Sequence, residues 1–370
     1  MSFQRNTKSA IIKKFFKHIT HAVAILFGVV TLIFFLFNVL PGDPAQMMLD
    51  QHENEEQVQK IRARYGFDLP LEEQYIFWLN DLSPISIHGT KEIAKIHYLS
   101  EDKYSYASLI EGDSWSLVLK WPYLRKSFQK QDAKVADLLM GKILNTFVLA
   151  MVAIVIAFIL GIVFGLILTV YKSAWVQFLL EGISILGMAV PSFFASVVIA
   201  WFFGFYLKDV FSFSMTGSLF EVDDLGRGEY IAWKNLVLPA ITLGIRPLAV
   251  ITQLTKASLE SVLEEDYIRT ARAKGLSEFR VLIVHGLRNA LNPVITASSG
   301  WFASMLAGAV FIEYIFAWDG IGKLMVESLE QMDLPVVMGI VLFISFIFVL
   351  INIFVDQIYS WLDPRIRNRA

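Results

Sequence analysis

Cysteine is absent from the 370 residues. That excludes disulfides, a thiol nucleophile and thiolate metal sites, and it leaves the redox compartment unreadable. No GxxxxGK run followed by Ser or Thr is present, so the chain has no phosphate-cradling loop of the kind that hydrolyses ATP. HExxH is missing too. The six histidines, His18, His21, His52, His88, His97 and His285, have no metal-ligand spacing. An intramembrane serine protease needs a GxSG inside a span. The nearest match, Ala297-Ser298-Ser299-Gly300, lacks the first glycine and an evident histidine partner, and reads as small-residue packing. No paired intramembrane carboxylates suggest an aspartyl site or a proton relay, and no internal repeat or low-complexity tract appears. These absences describe a conduit without its own energy source, not an enzyme.

What is abundant is apolar. Hydrophobic residues make up 55% of the chain and the mean hydropathy is +0.55, against roughly 45–50% apolar in soluble domains. The excess lies in runs of membrane-spanning length, which marks an integral membrane protein. Six spans are expected, near 19–40, 143–171, 178–206, 235–255, 293–317 and 334–359. The first follows Lys13, Lys14 and Lys17 and resembles a signal peptide at first sight. Its run from Ile19 to Leu40 would be about 33 Å long as a helix, too long for a cleavable segment, so a retained span is expected. The fourth is interrupted by Pro239, Arg246 and Pro247.

The net charge of -2 is uninformative because the charges are segregated by loop. Residues 1–18 carry five basic and no acidic residues, and the 363–370 tail carries Arg365, Arg367 and Arg369 against Asp363. The 256–290 loop holds Lys256, Arg269, Arg272, Lys274, Arg280 and Arg288. The 207–234 and 313–333 loops are acidic. Basic loops stay in the cytoplasm, so both termini and the 256–290 loop are expected there, a parity that fits six spans.

The sizeable extracytoplasmic piece is 41–142, long enough for a small domain. It opens with the turn sequence Pro41-Gly42-Asp43-Pro44. Helices are expected over Glu53–Arg64, Leu71–Leu82 and Lys126–Met140, with short strands such as Ser116–Trp121 between them. Two readings stand side by side: an outer loop without a task, or a cap that receives a partner or covers a cavity.

Inside the membrane, Arg246 is the clearest anomaly. A charge there costs about 2.5–3.5 kcal/mol on insertion scales and usually faces a bundle interior or water. One reading has it lining a substrate path, and the other has it paired with a backbone carbonyl or snorkelling. Pro191 is expected to kink the third span and to mark either packing or a hinge. Gly161, Gly165, Gly182 and Gly187 permit close helix contact. Glu181 is expected at the cytoplasmic interface, and Glu313 and Asp356 near span ends.

The stretch from Glu264 to Pro293 is the longest polar interruption in the apolar second half. Its first helical piece is closed by Gly275 as a left-handed cap, and Ser277 is placed to cap the next helix. Ala271 and Ala273 are small residues expected on the exposed side, where they would let a partner approach. An ordinary loop between spans is the plainer alternative.

The chain resembles the integral membrane permeases of binding-protein-dependent ABC importers, in the dipeptide/oligopeptide/nickel subclass, and within it the first of the two permeases. The likeness runs through LPGDPA at 40–45, RYGFDLPLEEQYIFWL at 64–79, NTFVLA at 145–150 and LPAITLGI at 238–245. It continues through YIRTARAKGLSEFRVLIVHGLRNALNPV at 267–294, EYIFAWDGIGKLMVES at 313–328 and NIFVDQIYSWLDPRIR at 352–367. The 267–294 block is similar to the family's EAA loop, with Gly275 at the glycine and Ala271 at the second alanine. Arg269 and Thr270 stand where the general form has Glu and Ala, a departure usual in the peptide subclass. The stretch from about Leu82 to Trp121 departs from the family pattern as an insertion.

The resemblance implies an all-α polytopic membrane protein, with six transmembrane helices of the type I importer permease kind and an extracytoplasmic insert between the first two spans. It implies a division into 1–18, a first span 19–40, the insert 41–142, a five-span core 143–362 with a coupling loop at 256–292, and a cytoplasmic tail 363–370. It assigns ATPase coupling to Asp266, Tyr267, Arg269, Thr270, Ala271, Arg272, Ala273, Lys274, Gly275 and Leu276. Arg246 and Pro191, singled out above by their own chemistry, are the candidates for the translocation path. The implied partners are a second homologous permease, two cytoplasmic ATPases that bind the ATP, an extracytoplasmic binding protein and the bilayer of the bacterial inner membrane. No cofactor in the chain itself and no nucleic acid is implied. Peptides, nickel chelates, glutathione-like compounds and peptide antibiotics are all moved by similar permeases. The rival class, a self-contained secondary transporter or channel, predicts paired intramembrane charges or an inverted repeat.

Overall fold

The computed structural model describes the backbone of residues 2–39, 45, 55–91, 98–130, 132–223, 226 and 228–362, and their side chains except 2–19, 39, 64, 307 and 356–362. The 41–44 turn and the 363–370 tail lie outside these residues. The chain divides into two units, Met1–Gly141 with Glu327–Phe346, and Lys142–Val326 with Ile347–Ala370.

In the first unit, α1 (Ser2–Val39) is followed by α2 (Glu55–Tyr65) and α3 (Leu71–Leu82). Helix α3 starts after Pro70, which needs no amide partner, and places Glu72 and Glu73 in its first turn, where carboxylates suit the helix dipole. It turns Tyr75 and Trp78 inward. Tyr75 meets Thr31 of α1 at 2.7 Å, and Ile33, Phe34, Trp78, Met338 and Leu342 form the apolar core.

Strands β1 (Ile85–Gly89), β2 (Tyr106–Glu111) and β3 (Trp115–Lys120) make an antiparallel sheet in the order β1-β3-β2, with a bulge in β2 between Ser108 and Ile110. The insert therefore adds a small sheet, as the expected short strands required, to a mostly helical chain. The sheet's alternation is inverted: Ser86, His88, Ser116 and Lys120 are buried, whereas Ile85, Ile87, Ile110 and Leu119 are exposed. Apart from Val118 the buried face is polar, and Asp81 organises it. Asp81 accepts from Tyr104 Oη at 2.8 Å and Arg125 Nε at 3.2 Å, and its carbonyl accepts from Lys120.

Residues 126–130 and 132–134, the start of the helix expected over Lys126–Met140, are non-helical instead. The Ser127 hydroxyl accepts the amides of Gln129 and Lys130 at 3.2 and 2.8 Å and donates to Asp333, which competes with helical pairing. Helix α4 begins only at Val135 and runs to Val170.

The second unit continues with α5 (Ala174–Ala189) and α6 (Ser192–Trp201), whose end unwinds into a π turn over Phe202–Tyr206. A short α7 (Lys208–Phe211) and the hairpin β4 (Phe220–Val222) and β5 (Glu229–Ile231) lead to α8 (Trp233–Leu263). Helix α8 is unbroken despite Pro239 and Pro247. The lost backbone bonds are outweighed by burial, since 61% of its apolar window is covered, against 11% for the first span. Gly161 and Gly165 of α4 lie against Ile251 and Thr255 of α8, and Gly187 of α5 against Ile245; a Cβ at these glycines would sit within 2.5 to 2.7 Å of those side chains. Gly182 has no such neighbour.

Beyond α8 come α9 (Asp266–Ala273), α10 (Glu278–Arg280), a π turn at Val281–Leu287, α11 (Arg288–Gly308), α12 (Val310–Ile315), α13 (Ile321–Glu330) and α14 (Leu334–Leu362). Among the described residues, four helices are long and apolar enough to cross a membrane, and five spans result if the bent α5–α6 pair counts as one. The segment expected as a fifth span, 293–317, is divided between α11 and α12 with a break at Ala309. Glu313 is not at a tolerant span end but fully buried: its Oε2 accepts the amides of Gly322 at 2.7 Å and Lys323 at 3.4 Å.

Candidate functional site

Helix α9 is short, and its register is set from below. Ile268 and Ala271 are buried with Val281, flanked by Leu263 and Leu276. Ala271 therefore faces its own chain, a correction to its expected place on the exposed side. Ile268 and Ala271 are spaced i, i+3, just under one helical turn, so both fall on the face that Val281 covers. Asp266, Tyr267, Arg269, Thr270, Arg272, Ala273, Lys274 and Gly275 are exposed, and Leu276 is half-buried.

Gly275 has φ +77° and ends the helix as a left-handed turn, and Leu276 N donates back to Ala271 O at 3.4 Å. Ser277 occupies the cap position of α10 with extended backbone, though its side chain makes no capping bond.

The charges on this surface are partly spoken for. Arg272 grips Glu278 through two bonds of 3.1 and 3.3 Å, and Arg269 meets Asp266 at 3.3 Å. Lys274 and Arg280 make no ion pair among the described residues. Tyr267 accepts from Asn289 at 2.8 Å, which ties the helix to the start of α11. Phe279 is 75% exposed beside α9 and was not among the expected residues. Its signal was the burial of Val281: two residues earlier, a helical side chain points away from the same core.

A second feature lies in the apolar part of this unit. Helices α5 and α6 meet at 116°, far more than a proline kink. Val190 and Pro191 are both extended, so the helix stops and restarts. A cavity of about 430 Å³ opens at this break, with Leu186, Val190 and Phe194 on one side, Ile245 and Arg246 of α8 on another, and Trp301 and Ser304 of α11 completing it. Pro191 does not line the cavity; it makes the break that does. Arg246 is exposed to it and its side chain makes no hydrogen bond or ion pair among the described residues, so a carbonyl partner for it is not found there. Trp301 and Ser304 escaped sequence reading, although their spacing of three places them on one helix face. Glu181 pairs with Lys256 at 2.6 Å between α5 and α8.

The family model for the inner membrane component of binding-protein-dependent transport systems matches residues 161–368, more than half of the chain. The chain belongs to this permease family. The family's N-terminal model matches residues 11–92 of the permease as well. Curated relatives include the glutathione transport system permease protein GsiC of Shigella flexneri serotype 5b and that of Escherichia coli K12. Each is 33% identical over 352 residues, covering 95% of this permease and 97% of the relative. Among solved structures, an amino acid ABC transporter with histidines superposes with a TM-score of 0.45 at 13% identity, over 62% of this permease and 94% of that chain. The permease is thus a membrane-embedded subunit of an ABC importer of the dipeptide/oligopeptide class, in a family of transport proteins and not of enzymes.

Proposed function

We propose that this permease forms half of the path by which an ATP-driven importer moves short peptides or peptide-like solutes, and that α9 is where the ATPase pushes. The observation that carries this is the two-sided build of α9. Ile268 and Ala271 fix it to its own chain, while Arg269, Thr270, Ala273, Lys274 and the following Phe279 are exposed. A helix held from below and bare above transmits a push as a rigid body. The partners are a second homologous permease, two cytoplasmic ATPases and an extracytoplasmic binding protein that delivers the solute. The chain binds no nucleotide or cofactor of its own and catalyses no reaction. It lies in the bacterial inner membrane with both termini and α9 in the cytoplasm. That the GsiC relatives carry glutathione in their names favours peptide-like solutes over nickel or a peptide antibiotic.

Gly275 provides the test. No atom lies within 4 Å of a Cβ built there, so a side chain would project outward. Gly275→Asn tolerates the left-handed backbone and is expected to keep ATPase association in a pull-down from membranes. Gly275→Asp places a carboxylate on the same surface and is expected to lose association and uptake while the permease still accumulates. Unchanged association and uptake in Gly275→Asp would remove α9 as the coupling element.

A further inference from the structure

Resting on the reading of the chain as an importer permease, we propose that the cavity at the α5–α6 break is a carboxylate-accepting station, which selects short peptides with a free carboxylate and an apolar side chain. Arg246 supplies the charge. Its neighbours in the cavity wall are apolar or hydroxyl-bearing, and no acidic residue lines the space. Neither carboxylate of the packed elements lines the cavity: Glu181 is paired with Lys256, and Glu313 Oε2 accepts the amides of Gly322 and Lys323. A guanidinium in low-dielectric surroundings calls for an anion, and its planar fork matches a carboxylate through two parallel bonds. The first turn of α6 adds to the same sign of field, because Ser192 and Phe194 line the cavity where that helix begins. Leu186, Phe194 and Trp301 offer the remaining wall to an apolar side chain. The volume, about 430 Å³, lies in the range of small-molecule sites. A bare metal cation is repelled by the same field, so the site discriminates against it.

The absence of native cysteine makes the test direct. Ser304→Cys is introduced at the cavity wall in the assembled transporter, reconstituted in phosphatidylcholine nanodiscs, and modification is read by mass on this chain. Two methanethiosulfonates of similar size are compared, one bearing a sulfonate and one a trimethylammonium, each normalised to its rate with a free thiol. The normalised preference for the anionic reagent is expected at about tenfold, the scale of one charge pair in partly wet surroundings. It is expected to persist in Arg246→Lys and to vanish in Arg246→Gln. Trialanine with a free carboxylate is expected to slow modification, and its C-terminal amide is not. A preference indifferent to Arg246→Gln, or equal protection by acid and amide, overturns the proposal. So does a preference near one in the complete complex, the mark of an acidic partner residue already on Arg246. Protection by added phosphatidylglycerol without protection by trialanine assigns the site to lipid and overturns it as well. These rates do not depend on ATP, whereas failure of the importer reading shows as absent ATP-dependent uptake with the labelling pattern intact.

Discussion

Two alanines in one short helix have opposite tasks. Ala271 is packed against Ile268 and Val281, where added methylenes force the elements apart. Ala273 is exposed, two positions on, and adds only surface if enlarged. Ala271→Leu is expected to destabilise the 263–281 region by about 1–3 kcal/mol through overpacking. Ala273→Leu is expected to leave stability within about 0.5 kcal/mol while weakening ATPase capture. Thermal melting of the purified permease and a pull-down with the ATPase separate the two. The assignment of faces fails if Ala273→Leu melts early and Ala271→Leu does not. Glu313 shows the same dependence on surroundings: a carboxylate that sequence places at a tolerant edge is wrapped by amides, because Gly320 and Gly322 have no Cβ to keep the loop away.

At the scale of elements, much was legible and the remainder failed for physical reasons. The left-handed stop at Gly275, the two insert helices near 53–82 and the glycine seam of α4 on α8 all follow from local chemistry that tertiary packing reinforces. The 116° break is larger than a kink because Val190 joins Pro191 in extended backbone, which a lone proline does not announce. The unbroken α8 escaped because its propensity argues for interruption while its burial argues against. The insert sheet hides its polarity, since a buried Lys120 reads from sequence as a solvent-facing residue. That lysine has a measurable consequence. Burial is the main force lowering its pKa to about 8, with Asp81 opposing. An unfolded lysine keeps its proton to about 10.4, so between pH 8 and 10 the unfolded insert holds a proton that the folded one has released. Stability therefore rises with pH across that window, by up to about 3 kcal/mol if the whole shift is realised. Burial also pushes Tyr123 up to about 12, aided by Asp81, and Tyr104 further. Above pH 10 the unfolded tyrosines ionise first and stability falls again. The temperature at which residues 85–120 become cleavable by protease, compared between the native chain and Lys120→Met at each pH, reads this directly. The native chain is expected to gain on the variant from pH 8 to 10; equal slopes would refute the buried charge.

For the whole molecule, orientation is the property on which every functional statement about α9 depends, and charge is what sets it. The loop from 256 to 290 carries Lys256, Arg269, Arg272, Lys274, Arg280 and Arg288. Two of these arginines are held by carboxylates of the same loop, Arg269 by Asp266 and Arg272 by Glu278. Acidic residues contribute little to topology, so this pairing does not cancel the basic signal. On the proposed topology the insert, beyond the first span, is reached by the chain only after crossing. On that topology, a cysteine at Ser277 and another at Ser114, both exposed positions, report on opposite faces of the membrane. With no native cysteine to compete, a membrane-impermeant maleimide applied to intact spheroplasts is expected to label Ser114→Cys at once and Ser277→Cys only after permeabilisation. Labelling of both from one side would place α9 where no cytoplasmic ATPase can touch it. The push, the cavity and the carboxylate station would then need a different source of energy.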